Sequence, residues 1–339
     1  MADMKKEPSS EFYHWVSEQA LQLGWKVLRV EKASEDAGAR EYWRVVTADS
    51  TYIGMDASKE TAESFLAFLK VDQLMVQAGI EVPKVLRHDS DKQYMLVNDL
   101  GTSTALNIIN EDNAFQLMDK ATDILVKWQK ASSPNVLPEY SRTLLERELS
   151  LFPEWYVKQY RQKTWSPEAQ KWWQMTVDAL LDNILQQNRV FVHRDYMLRN
   201  LMPFGDGLAV LDFQDAVYGP VSYDIISLLR DAFVSWNESF VLDVAIRYWE
   251  KARKAGVPVP QDFSVFYQDM EFMGVQRHLK VMGIFARLNY RDGKPKYLAD
   301  TPRFVNYVRQ ASRRYIALSP LMHLMDDLEG SETKVGYTF

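Results

Sequence analysis

Residues 190–216, VFVHRDYMLRNLMPFGDGLAVLDFQDA, constrain this chain more than any other stretch, because they gather polar side chains into an otherwise apolar run. Val190, Phe191 and Val192 form a short apolar strand that stops at His193, so Asp195 is delivered at the strand's tip, on a loop. Asn200 follows five residues later. Leu201 and Met202 resume the apolar pattern, Gly205-Asp206-Gly207 supplies a tight turn, and Leu208 to Leu211 return as a buried strand ending on Asp212. The hairpin thus gathers a carboxylate able to take a proton from a hydroxyl, an amide, and a second carboxylate. The last two suit a divalent metal, and hard oxygen donors favour magnesium.

Composition narrows the classes open to such a site. A chain of 339 residues is long enough for two lobes, and 47% hydrophobic with 25% charged residues is ordinary for a globular protein. The net charge of −6 gives no general attraction to nucleic acid or anionic membrane. The sequence has no cysteine, which excludes disulfides, thiolate catalysis and cysteine-ligated metal. The start, MADMKKEPSSEFYHW, lacks the apolar core of a signal peptide, and no apolar run is long enough to span a bilayer. A cytoplasmic protein is expected, with a monomer favoured.

Read in order, residues 10–23 form an amphipathic helix with Phe12, Trp15, Val16, Ala20 and Leu23 on one side. Residues 27–30, 42–47 and 51–55 are β-rich. Residues 60–78 are helical and stop at Gly79. Strands at 84–88 and 93–97 flank the turn DSDK, and Asp99-Leu100-Gly101 marks a boundary. From Ser103 the pattern is helical over 103–110, 112–131, 141–160 and 167–188. After Asp215 the turn residues YGPVS lead into a buried helix with Asp224 in its first turn, where it can stabilise the N-terminal amides. Further helices are expected over 240–255, 262–289 and 303–317, followed by a loosely held tail, EGSETKVGYTF. The five histidines have no metal-ligand spacing.

HRDYMLRN matches the kinase catalytic loop H-R-D-x-x-x-x-N residue for residue, and LDFQD stands where the metal-binding Asp-Phe-Gly segment follows. The chain therefore resembles kinases. The resemblance implies Asp195 as catalytic base, with Asn200 and Asp212 as Mg²⁺ ligands shared with the phosphates of ATP. It also implies an α+β, protein-kinase-like two-lobe fold: a small antiparallel β lobe over residues 1–98 that binds nucleotide, and a large, mainly helical lobe over 99–339 for catalysis and acceptor binding. In such folds the segment after the fifth strand meets the adenine through its backbone, which designates Asn98, Asp99 and Leu100. Asp224 would tie back to the catalytic loop.

Two departures stand out. EKASEDAGAREYWRV offers only Gly38 in place of a glycine-rich phosphate loop, and the third strand, YIGMDAS, has no lysine where V-A-I-K would put one. Arg40, Arg44 or Lys59 would have to supply the missing cation, since a guanidinium can replace an ammonium as phosphate donor, with Glu60 and Glu63 as possible helix partners.

The passage from LDFQDAVYGP straight into a helix, with no A-P-E segment, leaves no room for an activation loop. This arrangement resembles the aminoglycoside phosphotransferase and choline kinase family over essentially the whole chain. Within it, VHRDYMLRNLM, LDFQDAVYGPVSYDIISLLRDAF and QRHLKVMGIFARLNYRDGK are similar to the bacterial anomeric kinases of N-acetylmuramate and N-acetylglucosamine, the AmgK type. That likeness implies ATP-dependent phosphorylation of the C1 hydroxyl of an amino sugar. The product would return to UDP-N-acetylmuramate by a route that bypasses the fosfomycin-sensitive step of de novo synthesis. N-acetylmuramate carries a lactyl carboxylate, so an arginine is wanted: Arg199, Arg230, Arg277 and Arg287 are candidates. Gln214, Asp215, Tyr218 and Asp231 are candidates for the sugar hydroxyls. The competing readings are another small-molecule kinase of the same fold, and a non-catalytic pseudokinase, against which the complete set of Asp195, Asn200 and Asp212 argues.

Overall fold

The computed structural model describes residues 7–33 and 39–330. Gly38 and the tail beyond Gly330 lie outside the described residues. The chain divides into two compact units, one formed by residues 1–109 with 199–215, the other by 110–198 with 216–339.

The first unit begins with helix α1 (Ser10–Gln22), whose N-terminus is capped by the Ser9 hydroxyl, which accepts from the Phe12 amide. Strands β1 (Arg29–Lys32), β2 (Glu41–Val46) and β3 (Thr51–Asp56) follow, then helix α2 (Ala62–Gln77), capped by Thr61. Strands β4 (Val85–Asp89) and β5 (Tyr94–Asn98) and a one-turn helix α3 (Ala105–Ile108) complete this part. The sheet is antiparallel throughout, in the order β1-β2-β3-β5-β4. Strand alternation sorts its side chains onto two faces. Trp43, Val45, Tyr94 and Leu96 pack on Phe12, Trp15 and Val16 of α1. Gly54 sits under that contact, where a Cβ would come within 2.9 Å of the Phe12 ring. The register puts Tyr42, Met55 and Met95 on the opposite face, in line with Arg44, Ile53 and Val97. The hairpin of β7 (Leu201–Phe204) and β8 (Gly207–Val210) belongs to this unit although the sequence reading put it in the second lobe. The Val210 amide donates to the Glu81 carbonyl at 2.8 Å, and Phe213 rests on Phe68 of α2, ring centroids 4.8 Å apart.

The second unit is helical. It holds α4 (Ala114–Lys130), α5 (Arg142–Leu149), α6 (Pro167–Ile184), α7 (Tyr223–Leu229), α8 (Glu238–Ala255), α9 (Phe263–Tyr290), α10 (Thr301–Arg314) and α11 (Ser319–Glu329). Residues 141–160, read from the sequence as one helix, separate into α5 and a π-helical segment, Phe152–Tyr160. The break lies where Gly283 of α9 meets the backbone of Leu151, an approach any Cβ would block. The segment YGPVS also departs from expectation. Val217–Pro220 is a strand, β9, antiparallel to β6 (Arg189–Val192). No helix among the described residues is long and apolar enough to cross a membrane.

Helix α9 is buried for most of its length, and His278 on it is 3% exposed, between the rings of Phe304 (5.6 Å) and Tyr307 (5.1 Å). Burial, with Arg277 and Arg230 nearby, holds its imidazole well below the ordinary histidine range. Unfolded, the same group would protonate near about 6.5, so the unfolded chain alone takes up a proton below that pH and stability falls. A His278→Phe variant should lose less thermal stability than wild type between pH 7 and pH 5, as measured by melting midpoints across that range. Parallel pH profiles for the two proteins would show that His278 contributes nothing to the acid loss.

Candidate active site

In the first unit the face of β2 opposite α1 carries Arg40, Tyr42 and Arg44 at two-residue intervals. Arg40 is 8% exposed, pairs with Glu60 at 2.8 Å, donates to the Ser64 hydroxyl at 3.1 Å and lies 5.7 Å from the Phe68 ring centre. Burial opposes its charge, but Tyr42 and Glu60 outweigh that and hold it protonated. Tyr42 also hydrogen-bonds Arg40 and lies in the electrostatic reach of Asp212, so burial and that carboxylate keep its phenol neutral. Glu60, Arg40, Tyr42 and Asp212 therefore lie together. Glu63 is exposed in the first turn of α2 and takes no part.

The other two cations proposed from the sequence are engaged elsewhere. Arg44 pairs with Asp99 at 2.6 Å and donates to the Gly101 carbonyl at 3.1 Å, while the Gly101 amide donates to Asp99. This fixes the segment after β5, and its donors hold Asp99 below the usual carboxylate range against the effect of burial. Lys59 is exposed and pairs with Glu41 at 2.6 Å. Asn98 ends β5, with its side-chain oxygen accepting from the Lys84 amide, and Leu100 is half-buried beyond it.

Asn200 is 7% exposed, and its carbonyl accepts the Leu211 amide at 2.8 Å, which brings the two ends of the hairpin together. Asp212 is exposed and has φ +61°, a left-handed conformation that a non-glycine residue adopts at a cost of roughly 1–3 kcal/mol and that concentrates at functional sites. Buried Phe213 on Phe68 holds it there, and Gln214 donates to its carboxylate at 2.9 Å. An exposed carboxylate and an amide, both oxygen donors, fit a hard divalent cation. Arg199, half-buried, and Asp215, exposed, also belong to this unit.

In the second unit β6 ends at Val192 and the loop after it is held by two buried aspartates. Asp224, 0% exposed, accepts the amides of His193 (2.7 Å) and Arg194 (3.0 Å). Asp231, also 0% exposed, accepts those of Leu198 (3.1 Å) and Phe233 (2.8 Å). Burial pushes the Asp224 carboxyl up to about 7 despite these donors, and raises Asp231 as well, with Arg277 opposing both. Arg277 is 2% exposed and donates to Met197 sulfur and the Arg230 carbonyl. Asp195 is left half-buried at the bend, its amide donating to His193 Nδ1 at 3.2 Å and its carbonyl accepting from Met197.

Arg194 has φ +76° and its guanidinium is held by Glu148 of α5. Glu148 also accepts from the Tyr140 hydroxyl, from Gln276 at 3.2 Å and from Lys280 at 3.4 Å, and Lys280 donates to the Tyr223 hydroxyl at 2.8 Å. Burial works against both charges. Lys280 and Arg194 nevertheless keep Glu148 below the usual glutamate range, and Tyr223 and Glu148 keep Lys280 above that of lysine.

Two acceptor-side candidates, Asp231 and Arg230, have their polar atoms engaged within the fold. Asp231 has both oxygens on backbone amides, and Arg230 is buried, paired with Glu238 and lying 5.0 Å from the Tyr307 ring centre. Tyr218 is half-buried in β9, and Arg287 half-buried on α9. Tyr42, Glu148, Tyr140 and Lys280 were not singled out from the sequence. The signal for Glu148 was available, because it falls at an inward position among Leu144, Leu145, Leu149 and Phe152.

The family model of the phosphotransferase enzyme family (APH) matches residues 29–262. A Neisseria meningitidis protein named N-acetylmuramate/N-acetylglucosamine kinase is 49% identical over 91% of this chain and 93% of its own length. A Pseudomonas aeruginosa protein of the same name is 44% identical over 88% and 89%. Among solved structures, ADP-bound aminoglycoside phosphotransferase APH(2'')-Ib superposes with a TM-score of 0.60 at 12% identity, over 90% of this chain and 99% of that one. Choline kinase LicA from Streptococcus pneumoniae superposes with 0.59 at 14% identity, over 90% and 98%. At such identities these two structures establish the protein-kinase-like fold, and the sequence matches establish the kinship: the chain belongs to the phosphotransferase enzyme family, among the N-acetylmuramate/N-acetylglucosamine kinases.

Proposed function

We propose that this protein is an ATP- and Mg²⁺-dependent kinase that phosphorylates the C1 hydroxyl of N-acetylmuramate, and of N-acetylglucosamine, as a cytoplasmic step returning cell-wall sugar towards UDP-N-acetylmuramate. The names of its relatives supply the acceptor class. The single observation that supports chemistry over mere binding is the half-buried Asp195, on a loop whose His193, Arg194 and Leu198 amides are held by buried carboxylates. A nucleotide-binding module has no use for such a base.

Nucleotide binding falls to the first unit. The backbone of Asn98 to Leu100 meets the adenine, Arg40 stands in for the third-strand lysine towards the phosphates, and Glu60 orients Arg40. Magnesium would be held by Asn200 and Asp212, and when bound it would neutralise charge on the phosphoryl oxygens. Asp195 orients the acceptor hydroxyl and takes its proton late, since phosphoryl transfer is largely dissociative and depends on positioning. A hemiacetal hydroxyl is more acidic than the other sugar hydroxyls, which suits a carboxylate base. Gln214, Asp215, Tyr218 and Arg199 remain the proposed sugar contacts.

Replacing Arg40 by Ala should raise the KM for ATP or lower kcat by on the order of 10², with little effect on sugar binding, as expected for the loss of a donor to the phosphates. Unchanged ATP kinetics would return that role to Arg44 or Lys59.

The regiochemistry is the direct test. Incubated with ATP, Mg²⁺ and N-acetylmuramate, the enzyme should form an acid-labile glycosyl phosphate whose phosphorus couples to the anomeric proton in NMR spectra, and the C1-reduced alditol should be a poor substrate. Asp195→Asn should bind ATP normally yet lose on the order of 10² or more in kcat. Coupling to the C6 protons would refute the anomeric assignment, and near wild-type turnover by the Asn variant would refute the base.

A further inference from the structure

We infer that Glu148 on α5 and Lys280 on α9 are positioning residues for the base, fixing the guanidinium of Arg194 and through it the direction of Asp195. The inference rests on the kinase reading above and concerns only how its base is held.

The argument begins with strain. Arg194 occupies φ +76° immediately before Asp195, a strained conformation that persists only where surrounding contacts over-determine it. Its backbone is fixed by Asp224, which takes the Arg194 amide at 3.0 Å. Its side chain is the second anchor: tied at its far end, it opposes relaxation of the backbone out of the left-handed conformation that sets the direction of the next residue. The Glu148 carboxylate provides that anchor and is itself fully committed, one oxygen accepting from Arg194 and Lys280, the other from Tyr140 and Gln276. Lys280 is anchored in turn by Tyr223 at 2.8 Å and lies 5.4 Å from the Tyr223 ring centre.

The charges do not balance within the cluster. Glu148 supplies one negative charge against two positive ones, Arg194 and Lys280, and the neighbouring carboxylate of Asp195 lies in the field of Lys280. A buried Arg194–Glu148 pair would be neutral without the lysine, and burying a further ammonium at 7% exposure adds nothing to stability that an apolar side chain of similar volume would not. What it adds is a fixed positive charge beside the base. Preorganised charge of this kind acts on the reacting group without needing to touch it.

The test uses the full chain with ATP, Mg²⁺ and N-acetylmuramate, and the variants Lys280→Met, Lys280→Arg and Glu148→Gln. Lys280→Met and Glu148→Gln should each lower kcat by on the order of 10² with the KM for ATP within about twofold of wild type, because misorientation of a reacting group acts on the chemical step. Lys280→Arg, which keeps the charge, should recover most of the loss. In an Asp195→Asn background, Lys280→Met should cost little more, since groups acting as a unit are not additive. Should Glu148→Gln fail to fold, the Lys280 variants still decide the matter, because they leave the Glu148–Arg194 pair intact. Unchanged kcat in folded Lys280→Met, an arginine variant as impaired as the methionine one, or full additivity with Asp195→Asn would each overturn the inference. A wild-type protein that phosphorylates no amino sugar would instead defeat the functional reading.

Discussion

The catalytic loop depends on a constraint that backbone chemistry imposes: once β6 ends, the amides of His193, Arg194 and Leu198 have no strand to pair with, and a buried amide left unpaired is costly. Asp224 and Asp231 resolve this from the two ends of α7, taking three loop amides between them. Both carboxylates are themselves fully buried, an arrangement tolerable only with a nearby cation and good hydrogen bonds. Arg277 supplies that cation from α9. Every residue of α7 from Tyr223 to Leu229 is buried, which follows from its task of carrying one aspartate at its start and holding the other just beyond its end. Removing Arg277 would leave both buried carboxylates without the cation that opposes the effect of burial on them.

Much of this was legible in the sequence because polar residues that interrupt apolar runs must be satisfied somewhere. Asp195, Asn200 and Asp212 stood out for that reason, and the β7–β8 hairpin was fixed by Gly205-Asp206-Gly207 between two apolar pairs. What was not legible depended on partners distant in the chain. VYGP reads locally as a turn, yet β6 and the Tyr140 ring make it a strand: Gly219 is needed because a Cβ there would come within 2.8 Å of Tyr140. Residues 141–160 keep apolar residues at helical spacing, but Pro153 removes an amide from the ladder at the point where Gly283 passes against Leu151, and the helix gives way there to a π-helical segment. Helix α11 was missed although Leu321, Leu324, Met325 and Leu328 keep helical spacing. Its stability comes partly from Tyr156 and Arg161, which bond Glu329 and the Leu328 carbonyl across the unit.

The first unit has no lysine on its third strand, and the role proposed for Arg40 would meet that lack. A third-strand lysine would reach the phosphates as a flexible point charge; Arg40 instead enters from the beginning of β2 with a planar guanidinium already oriented by Glu60 and Ser64. Its position two residues before Tyr42 puts both on the sheet face opposite α1, and Tyr42 brings a neutral hydroxyl towards Asp212. Arg44, next on that face, is tied to Asp99 and so serves the segment after β5. The β2 segment therefore supplies residues to both ends of the proposed nucleotide site, from the side of the strand opposite Trp43 and Val45.

On the acceptor side the same accounting of partners narrows the choice of residues. A cationic acceptor would require uncommitted acids near the base, but Asp224, Asp231 and Glu148 are each fully used in holding the loop. The four arginines considered for an anionic acceptor divide likewise. Arg230 is paired with Glu238, and Arg277 serves the two aspartates, so neither can turn outward without giving up those partners. Arg287 differs from them: it is half-buried, and burial together with Arg291 holds its guanidinium below the usual arginine range, so a carboxylate placed there would relieve an existing electrostatic cost.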